Sequence, residues 1–89
     1  MRLDLFLKVS RLVKRRTLAQ DFCHRGWIEV NGTKGKPGRN MKQGDKIILH
    51  LGSRRKEIEI LDIPQKNLPA KEAHKLYRVV SDLPEIERG

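Results

Sequence analysis

The sequence predicts an α+β fold: two N-terminal helices packed on a small antiparallel sheet, with a third helix closing the chain. Three patterns predict it. Apolar residues recur at helical spacing near both ends, as Leu3, Phe6 and Leu7 and again as Ala73, Leu76, Tyr77 and Val80. In between, Ile58 and Ile60 alternate with Glu57 and Glu59, the period of a strand with one buried and one wet face. The pairs Asn31-Gly32 and Gly44-Asp45 punctuate the middle as tight turns.

The elements follow in order. Residues 2–10, RLDLFLKVS, make the first helix, with its apolar side chains at i, i+3 and i+4. Residues 16–25 make the second; Leu18 and Phe22 share one face with Ala19 and Cys23 beside them, and Gly26 stands where a helix stops. Trp27, Ile28 and Val30 favour a strand, and Trp27 at its start is assigned to the core rather than to stacking on a base. From Thr33 to Gln43 the chain is polar and broken by Gly35, Pro37 and Gly38, a loop or irregular strand. A strand over 46–51 follows, and GSRR turns it into another over 56–61. Pro64 and Pro69 bracket a linker. The regular stripe of residues 70–80 assigns the closing helix to the core rather than to a partner that would meet His74 and Tyr77. Residues 81–89 read as a frayed tail.

Eighty-nine residues make one small domain, with twenty Lys and Arg against eleven Asp and Glu, a net charge of +9. The charge is concentrated. Residues 1–25 carry seven cations and two anions, residues 33–56 eight and one, and residues 57–89 five and seven. Such a basic chain points to nucleic acid or an anionic surface. The densest cluster is Arg11, Lys14, Arg15 and Arg16, four cations within six residues at the start of the second helix. Cations are disfavoured there, because the helix dipole already places partial positive charge at an N-terminus. A phosphate turns that cost into affinity, since helix N–H groups and guanidinium forks converge on it. Lys34, Lys36, Arg39 and Lys42, in a glycine-bearing loop, extend the basic surface along a sugar-phosphate backbone. Four aromatics, two of them on apolar faces, are too few for a stacking platform, so recognition by shape and phosphate fits better, as for structured RNA. Asp4 either orients Arg2 through a charge-assisted bond or complements the first helix dipole.

Other chemistries find no footing. Cys23, His24, His50 and His74 lack metal-ligand spacing, the glycines match neither a Walker loop nor a dinucleotide fingerprint, and no serine has a base and an orienting acid. No catalytic residue, metal or cofactor is expected. The single cysteine excludes an internal disulfide framework, and Asp4 and Lys8 interrupt any apolar run at the N-terminus, so a cytoplasmic protein without a membrane partner is expected.

RLDLFLKVSRLVKRRTLA, then GWIEVNG, then GDKI resembles the S4 domain, the αL-type RNA-binding module. Arg2, Leu3, Asp4, Leu7, Arg16, Ala19, Gly26, Val30, Asn31, Gly32, Gly44 and Asp45 carry the resemblance, which covers residues 1–51. Residues 52–80 then complete the hairpin and closing helix of the same domain. Many members place Ser or Thr before Arg-x-x-Ala as a helix cap; here that position is Arg15. The KRRTLA variant is similar to the small stand-alone members of the RqcP type. The resemblance implies association with large-subunit rRNA and peptidyl-tRNA in ribosome-associated quality control, alongside a factor that adds an alanine tail to the stalled chain. It also implies RNA contact through Arg2, Lys8, Arg11, Lys14, Arg15, Arg16, Lys34, Lys36 and Arg39, with the protein acting as a monomer. The related heat-shock S4 proteins also ride on blocked large subunits but carry a longer basic C-terminal extension. S4 domains also precede catalytic domains in pseudouridine synthases and tyrosyl-tRNA synthetases, an alternative that 89 residues admit only if they are cut from a longer chain.

Overall fold

Leu3, Phe6 and Leu7 are fully buried, and that stripe makes α1 (Leu3–Val9) the centre of the core. The computed structural model describes residues 1–64 and 69–85. A turn leads from α1 to α2 (Arg16–His24), which packs against it. Five strands follow: β1 (Ile28–Val30), β2 (Thr33–Lys34), β3 (Lys46–Leu51), β4 (Arg54–Ile60) and β5 (Tyr77–Pro84). They form one antiparallel sheet in the order β2-β1-β3-β4-β5. Period-two burial places Ile28, Val30, Ile47, Leu49, Ile58 and Ile60 in the same core as the helices. Asn31 and Gly32, at φ 51° and 85°, close the β1–β2 hairpin as the left-handed pair such a two-residue turn requires. No helix of the described residues is long and apolar enough to cross a membrane.

The structure departs from the sequence expectations in five places. The closing helix over 70–80 is instead a 3₁₀ helix, Ala70–Leu76, followed by β5. The 3₁₀ turn satisfies the spacing at its start, because residues three apart eclipse and Ala73 and Leu76 are both buried. From Tyr77 the chain pairs with the free edge of β4, so Val79 and Val80 are exposed on a strand. The tail expectation fails for the same reason over residues 81–84, which lie in β5; residues 86–89, like 65–68 of the linker, lie outside the described residues. In α2 the buried pair is Ala19 and Cys23, while Leu18 is 39% exposed, because small side chains are what lets α2 approach α1. Trp27 is not core either: 38% exposed, it lies 5.4 Å from the Phe22 ring, and the Arg25 guanidinium stands over it at 5.2 Å. The β4 strand starts at Arg54, two residues before the expected 56, so Arg54 and Arg55 belong to the strand and not to the turn.

Candidate nucleic-acid interface

The site is organised by a carboxylate at the bottom of the helix pair. Asp4, in the first turn of α1, is fully buried. Its Oδ1 accepts from Arg2 Nε at 3.2 Å and from the Leu5 amide at 2.7 Å. Its Oδ2 accepts from Gln20 Nε2 at 2.8 Å and Arg2 Nη2 at 3.3 Å, and pairs with Arg16 Nε at 3.3 Å. Burial works to raise the Asp4 pKa, but the bonds from Gln20, Arg2, Arg16 and the Leu5 amide outweigh it and hold the carboxyl below its ordinary 3.8. The group is therefore a fixed anion. It holds two guanidiniums from different elements side by side, and both remain open to solvent, at 52% for Arg2 and 43% for Arg16. Both alternatives read for Asp4 in the sequence have contacts here: the arginine bonds for the orienting role, and the Leu5 amide bond in the first turn of α1 for the helix-terminus role. Burial, and after it the Asp4 charge, pushes the neighbouring Cys23 thiol up to about 11, so it stays an unreactive core group.

The basic loop is docked onto the same turn. The Leu3 amide donates to the Arg39 carbonyl at 2.8 Å and the Asp4 amide to the Pro37 carbonyl at 3.1 Å, so backbone from the loop satisfies two orphan amides of α1. Arg2 also forms a bridge with Asn40, whose side chain accepts from the N-terminal ammonium at 2.9 Å. Gly35 makes this closeness possible. A Cβ there would stand 2.8 Å from Leu3 Cδ2 and 3.1 Å from the Ile28 carbonyl oxygen. Gly38 lies beside the Arg2 guanidinium.

Arg2, Arg16, Lys36 and Arg39 are thus gathered around the first turn of α1. Arg39 is half-buried and donates to Thr33 Oγ1 at 3.3 Å, and Lys34 and Lys36 are exposed. Lys14 and Arg15 are exposed just ahead of α2, whose first turn has no acidic residue and no side-chain cap. Two residues sit elsewhere. Lys8 lies in the last turn of α1, and Arg11, at φ 65°, faces the sheet beside Arg54 and Lys56. Gln20 was missed in the sequence, although its spacing of four from Arg16 puts both on one helix face. The carbonyl caps from Pro37 and Arg39 have no sequence signature at all.

No family model matches the chain. The RQC P-site tRNA stabilizing factor of Halalkalibacterium halodurans is 44% identical over 84 residues, 94% of each chain. That of Helicobacter pylori is 47% identical over 75 residues, 83% of this chain and 89% of its own. Among solved structures, the trimeric heat shock protein 15 of Vibrio cholerae superimposes with a TM-score of 0.84 at 34% identity, covering 91% of this chain and 82% of its own. With this identity running through almost all of both chains, the protein belongs to the family of RQC P-site tRNA stabilizing factors.

Proposed function

We propose that the protein associates with the large ribosomal subunit in ribosome-associated quality control, gripping rRNA and peptidyl-tRNA and so supporting alanine tailing of a stalled nascent chain. One observation carries the reading: two arginines are fixed on a buried carboxylate with their outer edges open. A guanidinium has five N–H donors, and Asp4 occupies only the inner ones, so the rest are aimed outward, ready for phosphate oxygens. The relatives' name, which specifies a P-site tRNA, supplies the RNA. In this reading the protein is a binding factor with catalysis left to others. It works in the cytoplasm as a monomer beside the nascent-chain tailing factor, with Arg2, Arg16, Lys14, Arg15, Lys34, Lys36 and Arg39 on RNA and Lys8 and Arg11 at the margins.

The heat-shock reading rests on the likeness to the Vibrio cholerae structure. The match that spans 94% of both chains favours the quality-control factor. Co-sedimentation separates them. Empty large subunits, intact ribosomes and large subunits bearing peptidyl-tRNA are each mixed with the protein at low and moderate salt. Preference for the tRNA-bearing subunit is expected. Equal binding to all three, lost together with added salt, leaves only general RNA affinity. Arg16→Ala is expected to lower the log–log salt slope by about one, as for loss of a single phosphate contact, with the fold intact by circular dichroism. An unchanged slope and affinity would remove Arg16 from the site.

A further inference from the structure

A groove of about 290 Å³ opens between the α1–α2 turn and the sheet, and neither Arg2, Asp4 nor Arg16 lines it. Its floor is apolar and aromatic: Leu12 from the turn, Leu49 and Leu51 from β3, and Tyr77 from β5. Its rim is cationic. Arg54 is already engaged by Asp82 at 2.8 Å. Arg11 and Lys56 are different, because neither has an ion pair among the described residues. Lys56 is half-buried and stands opposite Leu49 in the β3–β4 ladder; Asp82, which also lines the groove opposite Lys56 in the β4–β5 ladder, is paired with Arg54 instead. Arg11 occupies the left-handed region at φ 65°, which is strained for an L residue and is ordinarily left to Gly or Asn. Three cations against one carboxylate, Asp82, leave the rim of the slot net positive, with Arg11 and Lys56 outside any ion pair of the described residues.

The volume lies just below the range for drug-sized ligand pockets, about 300–1,000 Å³, and suits one planar ring with one anionic group. A nucleotide has that chemistry: a π-face for the leucines and Tyr77, and a phosphate for Arg11 and Lys56. The basic turn makes the source plain, since Arg11 stands three residues before Lys14 on the segment that leads into Arg16. We infer that the groove takes a single unstacked nucleotide extruded from the RNA held along that turn. The inference rests on the RNA-binding reading above and adds to it a site for a base, which the phosphate grip lacks.

The test uses fluorescence anisotropy with two labelled RNA hairpins of one stem sequence, one fully paired and one with a single bulged adenosine. The wild-type protein is expected to bind the bulged hairpin at least about fivefold tighter, the lower end of what stacking one base on an aromatic ring gives. Lys56→Met and Tyr77→Leu, with folding checked by circular dichroism, are expected to bind the paired hairpin like wild type and to lose the preference. Equal wild-type binding of the two hairpins, with Arg16→Ala weakening both, overturns the groove while the RNA reading stands, and leaves the slot to a side chain of a protein partner. A preference that survives in both variants puts the base elsewhere and also overturns it. If wild type binds neither hairpin, the RNA reading falls and the inference falls with it.

Discussion

Asp4 is an anion placed inside a surface meant for anions. On charge alone it opposes RNA binding, so its presence is explained by what it holds. Its four partners keep Arg2 and Arg16 at fixed positions, and a long side chain held in advance loses less rotamer entropy when it meets a phosphate. The two accounts predict opposite signs. If only charge matters, Asp4→Ala tightens RNA binding; if positioning dominates, it weakens it. We expect weaker binding, by several-fold on a structured RNA hairpin, together with a loss of about 1 kcal/mol in stability as the half-buried Gln20 and Leu5 donors lose their acceptor. Tighter binding of the variant would reduce Asp4 to a helix-capping charge. Acid tests the same group. Its folded pKa is below 3.8, so its stabilisation is present above that value and is lost as pH falls through the folded one.

At the scale of elements, what builds the interface is the seating of a loop on a helix. Gly35 is the point of contact, and Gly35→Ala forces a methyl into the fully buried Leu3 side chain and the Ile28 carbonyl that receives the Gly35 amide. Overpacking of this kind costs about 1–3 kcal/mol, and for a domain of this size each kcal/mol lowers Tm by about 4–8 °C. RNA affinity is expected to fall along with Tm, because the loop carrying Lys36 and Arg39 is what braces Arg2. A variant that melts early but binds normally would separate the loop from the site. The same element explains what was legible in the sequence. The first helix, the Asn31-Gly32 turn and the 46–51 strand are encoded by near neighbours, and the structure has them with the expected bounds to within a residue. The clustered cations were visible as charge, but the loop's place against α1 is set by the carbonyls of Pro37 and Arg39, and backbone groups look alike in every sequence. β5 was hidden for a related reason. Its apolar residues fit a helical stripe, and only the open edge of β4, whose residues pair with partners 17 to 30 positions later, selects the strand.

Across the whole molecule the core is unevenly distributed. The chain is elongated, 43 × 22 × 21 Å, and β5 is largely exposed, with Leu83 54% accessible. That strand is fastened by its ladder and by polar contacts: Arg78 to Glu59 at 2.7 Å, Arg54 to Asp82 at 2.8 Å, and Glu85 to His50 at 2.6 Å. The last is a clamp across the sheet, since His50 in β3 also meets Glu29 of β1 at 2.5 Å. Burial works to lower the His50 pKa, but the hydrogen bonds to Glu29 and Glu85, with their charges, outweigh it and raise the group above its ordinary 6.5. Arg55 stands opposite His50 in the ladder and is paired with Glu57. A raised folded pKa means the clamp's stabilisation is complete below 6.5 and is lost as pH rises through the folded value. Wild type is therefore expected to melt above His50→Gln at about pH 6, and the gap is expected to close by about pH 9. Differential scanning calorimetry of both proteins across that range reads it directly. A gap that stays constant with pH would mean the imidazole contributes only as a neutral hydrogen-bonding group, and the end of β5 would then depend on its ladder and the two arginine pairs.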